Sequence, residues 1–284
     1  MGDYSDLFYT VADGLTLYAR DYAGPTSDAP VALLMHGLTR NSRDFAAIAP
    51  AIAKTHRVIV VEQRGRGRSD WDLQIERYQP ATYVGDMFEL LQQQGLSTVA
   101  TVGTSMGGLI AMAMNATQPG VFSRVVLNDI GPVIAQRGLD RITRYVGMAS
   151  EFDDWSGAVD YARTVNAEAF PHHTDADWSA FAERIATERD GKVVLDYDPG
   201  ISEAMKASEA AAVPPDMWPL FDALTGVPLM LVRGAITDLL DESCVTEMQQ
   251  RHPSMELVTV PDVGHAPMLD EPGVCEQLVD FLNR

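Results

Sequence analysis

An open α/β fold, built on a mostly parallel eight-stranded sheet flanked by helices, is what three observations on the 284-residue sequence predict. Short apolar runs recur along the chain. Segments with helical spacing of apolar residues fall between most of them. Several runs, such as Val31 to Met35 (VALLM) and Arg57 to Val61 (RVIVV), are apolar at consecutive positions. Strands buried on both faces belong to a parallel sheet covered by helices on each side.

The elements follow in order. Phe8 to Ala12 and Thr16 to Tyr22 read as two strands joined by a turn at Asp13-Gly14, a hairpin signal. The runs at 31–35 and 57–61 come next. Thr98 to Val102, Arg124 to Leu127, Val227 to Val232 and Met255 to Val260 complete the set. Helices are expected over Phe45 to Lys54, Tyr83 to Gln94, Gly107 to Thr117, Glu242 to Arg251 and Val274 to Leu282. Asn41-Ser42, Pro119-Gly120 and Asp270-Glu271-Pro272 supply their start and stop signals.

One connection is too long for a simple crossover. About ninety residues, Gly131 to Leu224, lie between the strands at Leu127 and Leu229, and a structureless loop of that length is implausible in a compact domain. The segment is rich in helix formers and aromatics, among them Tyr145, Trp155, Phe170, Trp178 and Phe181. The expected organisation is a core made of residues 1–130 and 225–284, with residues 131–224 inserted as a helical cap.

Composition narrows the function classes. Forty acidic against 21 basic residues give a formal net charge of −19. Such a surface repels phosphate backbones and anionic membranes, so neither nucleic acid nor a membrane is an expected partner. A small-molecule substrate is expected instead; the oligomeric state is not readable. Two cysteines, Cys244 and Cys275, are too few for a disulfide framework. The first residues have neither the basic segment nor the apolar run of a signal peptide, and no run approaches the length of a membrane span. A cytoplasmic location is the expectation.

The sharpest motif is Gly103-Thr104-Ser105-Met106-Gly107-Gly108. It follows a predicted strand and opens a predicted helix, the context a G-x-S-x-G nucleophile elbow requires. The turn is so tight that its central residue is strained and side chains at the flanking positions would collide. The helix behind Ser105 offers free N–H groups to a developing anion.

Serine needs a base at neutral pH. Of six histidines, His265 lies in a loop after the last predicted strand, on the sheet edge that carries the elbow. The base in turn must be oriented by an acid. Asp238 follows the strand ending at Val232 and gives the chain order Ser, Asp, His. Asp129, at the end of the Val125 to Leu127 strand, also reaches that edge. Asp241, three residues beyond Asp238, reads better as a helix start. Asp238 ranks first, Asp129 next and Asp241 last. Acyl transfer also needs donors aimed at an oxyanion. The Met106 N–H supplies one. Gly37 permits a turn that aims the Leu38 N–H inward as the second, and His36 braces that loop.

Over essentially its full length the chain resembles the α/β-hydrolase superfamily. Leu34-Met35-His36-Gly37 is similar to that family's His-Gly oxyanion motif, and Val263-Gly264-His265 to its catalytic-histidine loop. Gln63-Arg64-Gly65-Arg66-Gly67-Arg68-Ser69-Asp70 is similar to its structural R-G-x-G-x-S loop, with Glu62 where the family usually has Asp. The resemblance implies Ser105 as nucleophile, His265 as base, Asp238 as orienting acid, and Leu38 and Met106 as oxyanion donors. It implies no metal or organic cofactor. Ser105 stands where haloalkane dehalogenases and epoxide hydrolases have Asp. The implied activity is hydrolysis of an ester, thioester or lactone of a small to medium apolar substrate through an acyl-enzyme. The alternatives are a C–C bond hydrolase or perhydrolase of the same fold, or a slow-turnover sensor of a small ligand.

Overall fold

A computed structural model describes residues 3–148, 150–211 and 216–284; positions 1–2, 149 and 212–215 of the expected core and insertion lie outside the described residues. In chain order the elements are β1 (Ser5–Thr10), β2 (Thr16–Tyr22), β3 (Val31–Met35), α1 (Ala49–Ile52), β4 (Arg57–Glu62), α2 (Pro80–Gln93), β5 (Val99–Thr104), α3 (Met106–Thr117) and β6 (Phe122–Asn128). Next come α4 (Gln136–Tyr145), β7 (Glu151–Phe152), α5 (Trp155–Asn166), α6 (Asp175–Ile185), β8 (Ala186–Arg189), β9 (Lys192–Leu195), α7 (Gly200–Ala211) and α8 (Trp218–Asp222). The chain ends with β10 (Leu229–Gly234), α9 (Glu242–Arg251), β11 (Glu256–Val260) and α10 (Val274–Leu282).

The large sheet has eight strands in the order β1-β2-β4-β3-β5-β6-β10-β11. The pairs β1–β2 and β2–β4 are antiparallel and the others parallel. The all-apolar strands divide their side chains between two cores, as the two-residue period of a strand requires. Leu33, Met35, Ile59, Val61, Leu127 and Leu231 face one layer of helices. Ala32, Leu34, Val58, Val60, Val126 and Val232 face the other.

Parallel pairing brings the carboxyl ends of β3, β5, β6, β10 and β11 to one edge. Register sets their order there: Met35 pairs with Gly103, Thr104 with Asn128, and Val232 with Asn128. Ser105 and Asp129 are therefore the first residues beyond adjacent paired positions.

Two elements differ from their sequence reading. The helix expected over 45–54 is a 3-10 turn at Ser42–Phe45 followed by the short α1. Pro50 enforces the break, because a continuous helix would drive its ring into the carbonyl of Ala46. The inserted segment is not purely helical. It carries a second, antiparallel sheet in the order β7-β9-β8. Asp190 and Gly191 join β8 to β9 with φ of 53° and 77°, the Asp-Gly hairpin signal at two positions that both require positive φ. At the end of the insertion, α8 packs on α3 and the Asn115 side chain donates to the Ala223 carbonyl at 2.6 Å. That last helix sits with the core layer.

A buried ion cluster fixes the loop after β4. Arg64 is 1% exposed. Its Nε and Nη2 donate to Asp86 at 2.8 and 2.6 Å, and its Nη1 to Asp13 and Asp72 at 2.7 and 2.6 Å. Removing one partner from such a cluster strands the remaining buried charges. Arg64→Ala is expected to destabilise the fold by about 3–5 kcal/mol, measured by urea unfolding. A loss no larger than that of an exposed arginine would contradict this.

Candidate active site

At the edge where the parallel strands end, the turn from β5 to α3 puts Ser105 at φ 51°, ψ −114°. That is a strained conformation for a residue with a side chain. It persists because the surroundings leave no alternative. A methyl group on Gly103 would lie 2.5 Å from the Gly107 carbonyl carbon, and one on Gly107 would lie 2.1 Å from the Met35 carbonyl oxygen. The turn can close against β3 only with glycine at both positions.

His265 receives the Ser105 hydroxyl: Nε2 lies 2.9 Å from Ser105 Oγ. Its Nδ1 lies 2.8 Å from Asp129 Oδ2. A carboxylate can only accept, so Nδ1 carries the proton and Nε2 is left to accept from the serine. The imidazole is largely buried, and Asp129 is 0% exposed. The loop bearing His265 is held from the insertion, where the Gly264 N–H donates to the Ala169 carbonyl at 2.7 Å.

The acid beside His265 is thus Asp129, and the assignment of Asp238 is corrected. Asp238 forms a two-pronged ion pair with Arg141 of α4, at 2.6 and 2.9 Å. Burial raises its carboxyl, but the Arg141 bonds and charge outweigh that and hold it below the ordinary aspartate value. Asp241 pairs with Arg137 at 2.9 Å. The end of β10 and the loop after it contribute in another way. The Gly234 N–H donates to Asp129 Oδ1 at 2.9 Å, and the Thr237 hydroxyl to Oδ2 at 2.6 Å. The segment expected to carry the acid instead helps to hold Asp129, just beyond the neighbouring strand β6.

The Leu38 and Met106 N–H groups both lie beside the serine, one in the loop after β3 and one at the start of α3. Neither bonds to a backbone carbonyl among the described residues. The loop carrying Leu38 is braced from behind. His36 Nδ1–H donates to the Gly37 carbonyl at 2.7 Å, and its Nε2 accepts from the Gln63 N–H at 3.1 Å. The fully buried Arg66 donates from Nε to the Leu38 carbonyl at 2.9 Å and from Nη1 to the Tyr83 hydroxyl at 2.9 Å. Glu62 fastens the same region by accepting from the Ser42 hydroxyl and the Arg68 N–H, each at 2.6 Å. Gly67 is required there, since a methyl group would lie 2.0 Å from Glu62 Oε2.

Three contributors escaped the sequence reading. Asn128 donates to the Thr104 hydroxyl at 3.1 Å and to the Pro267 carbonyl at 2.8 Å, tying the elbow strand to the His265 loop. Thr237 is the second. The third is Arg40, which lines the cleft with Ser105, two residues beyond the Leu38 that the sequence reading singled out. That cleft holds about 900 Å³ including its open mouth. Leu38, Tyr145, Phe170, Phe181, Tyr197 and Met268 form much of its wall, so the insertion roofs the site. Among the described residues, no group of three or more His, Cys, Asp or Glu is placed to hold a metal ion. No described helix is long and apolar enough to cross a membrane.

Burial pushes His36 down from 6.5 to about 4, against the opposing bond to the Gly37 carbonyl. The folded state therefore binds fewer protons than the unfolded chain between these values. Stability contributed by neutral His36 is full above pH 6.5 and falls as the pH drops towards about 4. The loss is about 3 kcal/mol at most. Thermal unfolding between pH 7 and 4 should show a steeper decline for wild type than for His36→Gln. Parallel curves would contradict the assignment.

Comparison with known proteins agrees with this architecture. The model of the Alpha/beta hydrolase family matches residues 32–278. A 3-hydroxybutyrate-oligomer hydrolase of Cupriavidus necator is 35% identical over 271 residues, covering 91% of this chain and 90% of that protein. A 2-(acetamidomethylene)succinate hydrolase of Mesorhizobium japonicum is 28% identical, with 83% and 81% covered. The crystal structure of an alpha/beta hydrolase from Novosphingobium aromaticivorans superimposes with a TM-score of 0.94 at 39% identity, over 100% of this chain and 99% of that one.

Proposed function

The chain belongs to the alpha/beta hydrolase family, and from that premise we propose that it is a serine hydrolase of carboxylic esters acting through an acyl-enzyme. The observation that carries the reading is the unbroken relay from the Ser105 hydroxyl through His265 to the buried Asp129 carboxylate. Ser105 attacks the ester carbonyl while His265 Nε2 takes its proton. Asp129 stabilises the imidazolium and fixes its tautomer. The oxyanion forms between the Leu38 and Met106 N–H groups, which no backbone carbonyl engages among the described residues. His265 then protonates the leaving alcohol. Water, activated by the same imidazole, releases the acid from Ser105.

The substrate class to test first is a short oligoester of a hydroxy acid. The Cupriavidus relative bears the name of such an activity and aligns with nine-tenths of this chain. A cleft with apolar walls and several phenol groups suits a chain of small ester units.

Ser105→Ala should lower kcat on 3-hydroxybutyrate dimer by roughly four orders of magnitude or more. Asp129→Asn should lose roughly 10⁴-fold, because an amide presents the wrong partner to Nδ1. Asp238→Asn should lose about tenfold or less, since its carboxylate serves Arg141. Steady-state assays on folded variants decide it. A larger loss for Asp238→Asn than for Asp129→Asn would return the acid to the later position. Release of a single equivalent by wild type would mark a sensor rather than an enzyme.

A further inference from the structure

The guanidinium of Arg40 points to a subsite that the hydrolytic relay does not use. Arg40 and Asp44 both line the cleft. Arg40 directs its Nε to both Asp44 oxygens, at 3.0 and 2.9 Å, and its Nη2 to Oδ1 at 2.6 Å. One edge of the fork is thereby filled. The Nη1 group has no hydrogen-bond partner among the described residues. The Phe181 ring, 4.4 Å from the guanidinium carbon, holds the plane in place.

The same chain shows what a complete set looks like. Arg64 also gives its Nε and Nη2 edge to one carboxylate, Asp86, and in addition gives Nη1 to two others, Asp13 and Asp72. Arg40 reproduces the first half of that arrangement and leaves the second open. In Arg64 that edge is closed by protein; Arg40, with Nη1 unpartnered among the described residues, lines the cleft. An arginine fork presents parallel donors that match a carboxylate.

Position makes the vacant edge relevant to chemistry. A methyl group built on Gly37 would lie 3.5 Å from Arg40 Cγ and 3.7 Å from Ser105 Cβ. The arginine stem and the nucleophile thus border the same glycine-sized gap, beside the Leu38 N–H. A substrate whose ester carbonyl sits over Ser105 has its neighbouring atoms beside Arg40. Asp44 keeps the empty cleft from containing an uncompensated cation. It also offsets part of the attraction for an anion, so recognition depends on the short-range fork and not on net charge.

We propose that Arg40 is a specificity-determining residue whose Nη1 edge binds a free carboxylate on the substrate, so that the enzyme prefers esters of hydroxy acids with an unesterified acid end over their neutral esters. The inference rests on the serine-hydrolase reading of the same cleft. It adds the substrate's charge and the residue that reads it.

The test compares 3-hydroxybutyrate dimer, carrying its free carboxylate, with the methyl ester of that dimer. The ratio of kcat/KM values, acid over methyl ester, is the readout. Arg40→Gln should lower this ratio roughly 10- to 100-fold, mostly through KM of the acid, with Arg40→Lys intermediate. Asp44→Asn should raise the ratio, because it removes a repelling charge and frees the rest of the fork. Calorimetric binding of the acid dimer to Ser105→Ala, with and without Arg40→Gln, gives a second measurement that needs no turnover. A ratio unchanged within about threefold in Arg40→Gln, or equal losses on both substrates, would overturn the proposal and leave the hydrolase reading intact. Turnover of neither ester by wild type would sink the hydrolase reading for this substrate class. The calorimetric pair would then still decide whether Arg40 binds the carboxylate.

Discussion

The Asp129 carboxylate is the point at which three otherwise separate segments are joined. It is fully buried, and a buried carboxylate persists only when donors replace its lost water. Gly234 at the end of β10, Thr237 just after it and His265 after β11 supply those donors. Each bond stabilises the charge, and each fixes a loop that the sheet alone would leave free to wander. The orientation of His265, and through it the line to Ser105, follows from satisfying this one acid.

A second set of buried groups performs the same service on the other side of Ser105. His36 and Arg66 bond the two carbonyls of the Gly37–Leu38 segment, at 2.7 and 2.9 Å. With the carbonyls engaged, the loop cannot rotate its Leu38 N–H away from the cleft. Arg66 also stacks near the Tyr83 ring, 4.9 Å from its centroid, which helps a cation with no carboxylate partner reside in the interior. The loop of three arginines after β4, read from sequence as structural, proves to be the scaffold behind the proposed oxyanion site. Its neighbours Gly65 and Gly67 also receive the insertion, through backbone bonds to Asp198 and Asp196.

Charge is distributed with the same logic. Several partly buried arginines meet a carboxylate edge-on through Nε and Nη2: Arg57 with Asp21, Arg141 with Asp238 and Arg40 with Asp44. Of these, Arg40 is the one that lines the roofed cleft. Its place in the cleft, and not its pairing, sets it apart.

The strands, their order of burial and the elbow at Ser105 were legible in the sequence, because each rests on local rules. A run apolar at every position is buried on both faces, and a glycine on either side of a serine between strand and helix admits few other backbones. His265 was legible for a related reason: it follows the last strand at the correct edge, and His36, which follows β3 at the same edge, reads as a brace for its own loop. The strand β8–β9 hairpin was also written locally, in Asp190-Gly191, but lay within a segment whose helix-forming residues outweighed it. The choice among Asp129, Asp238 and Asp241 was not local at all. All three follow strands at the same edge, and spacing along the chain carries no information about which carboxylate the folded loops will surround with donors. Arg141, nearly a hundred positions from Asp238, settles that residue's partner, and Thr237 settles that of Asp129. Sequence determined what could be brought to the edge; the tertiary structure decided which groups meet there, because hydrogen bonds act over about 3 Å and select among neighbours that only folding creates.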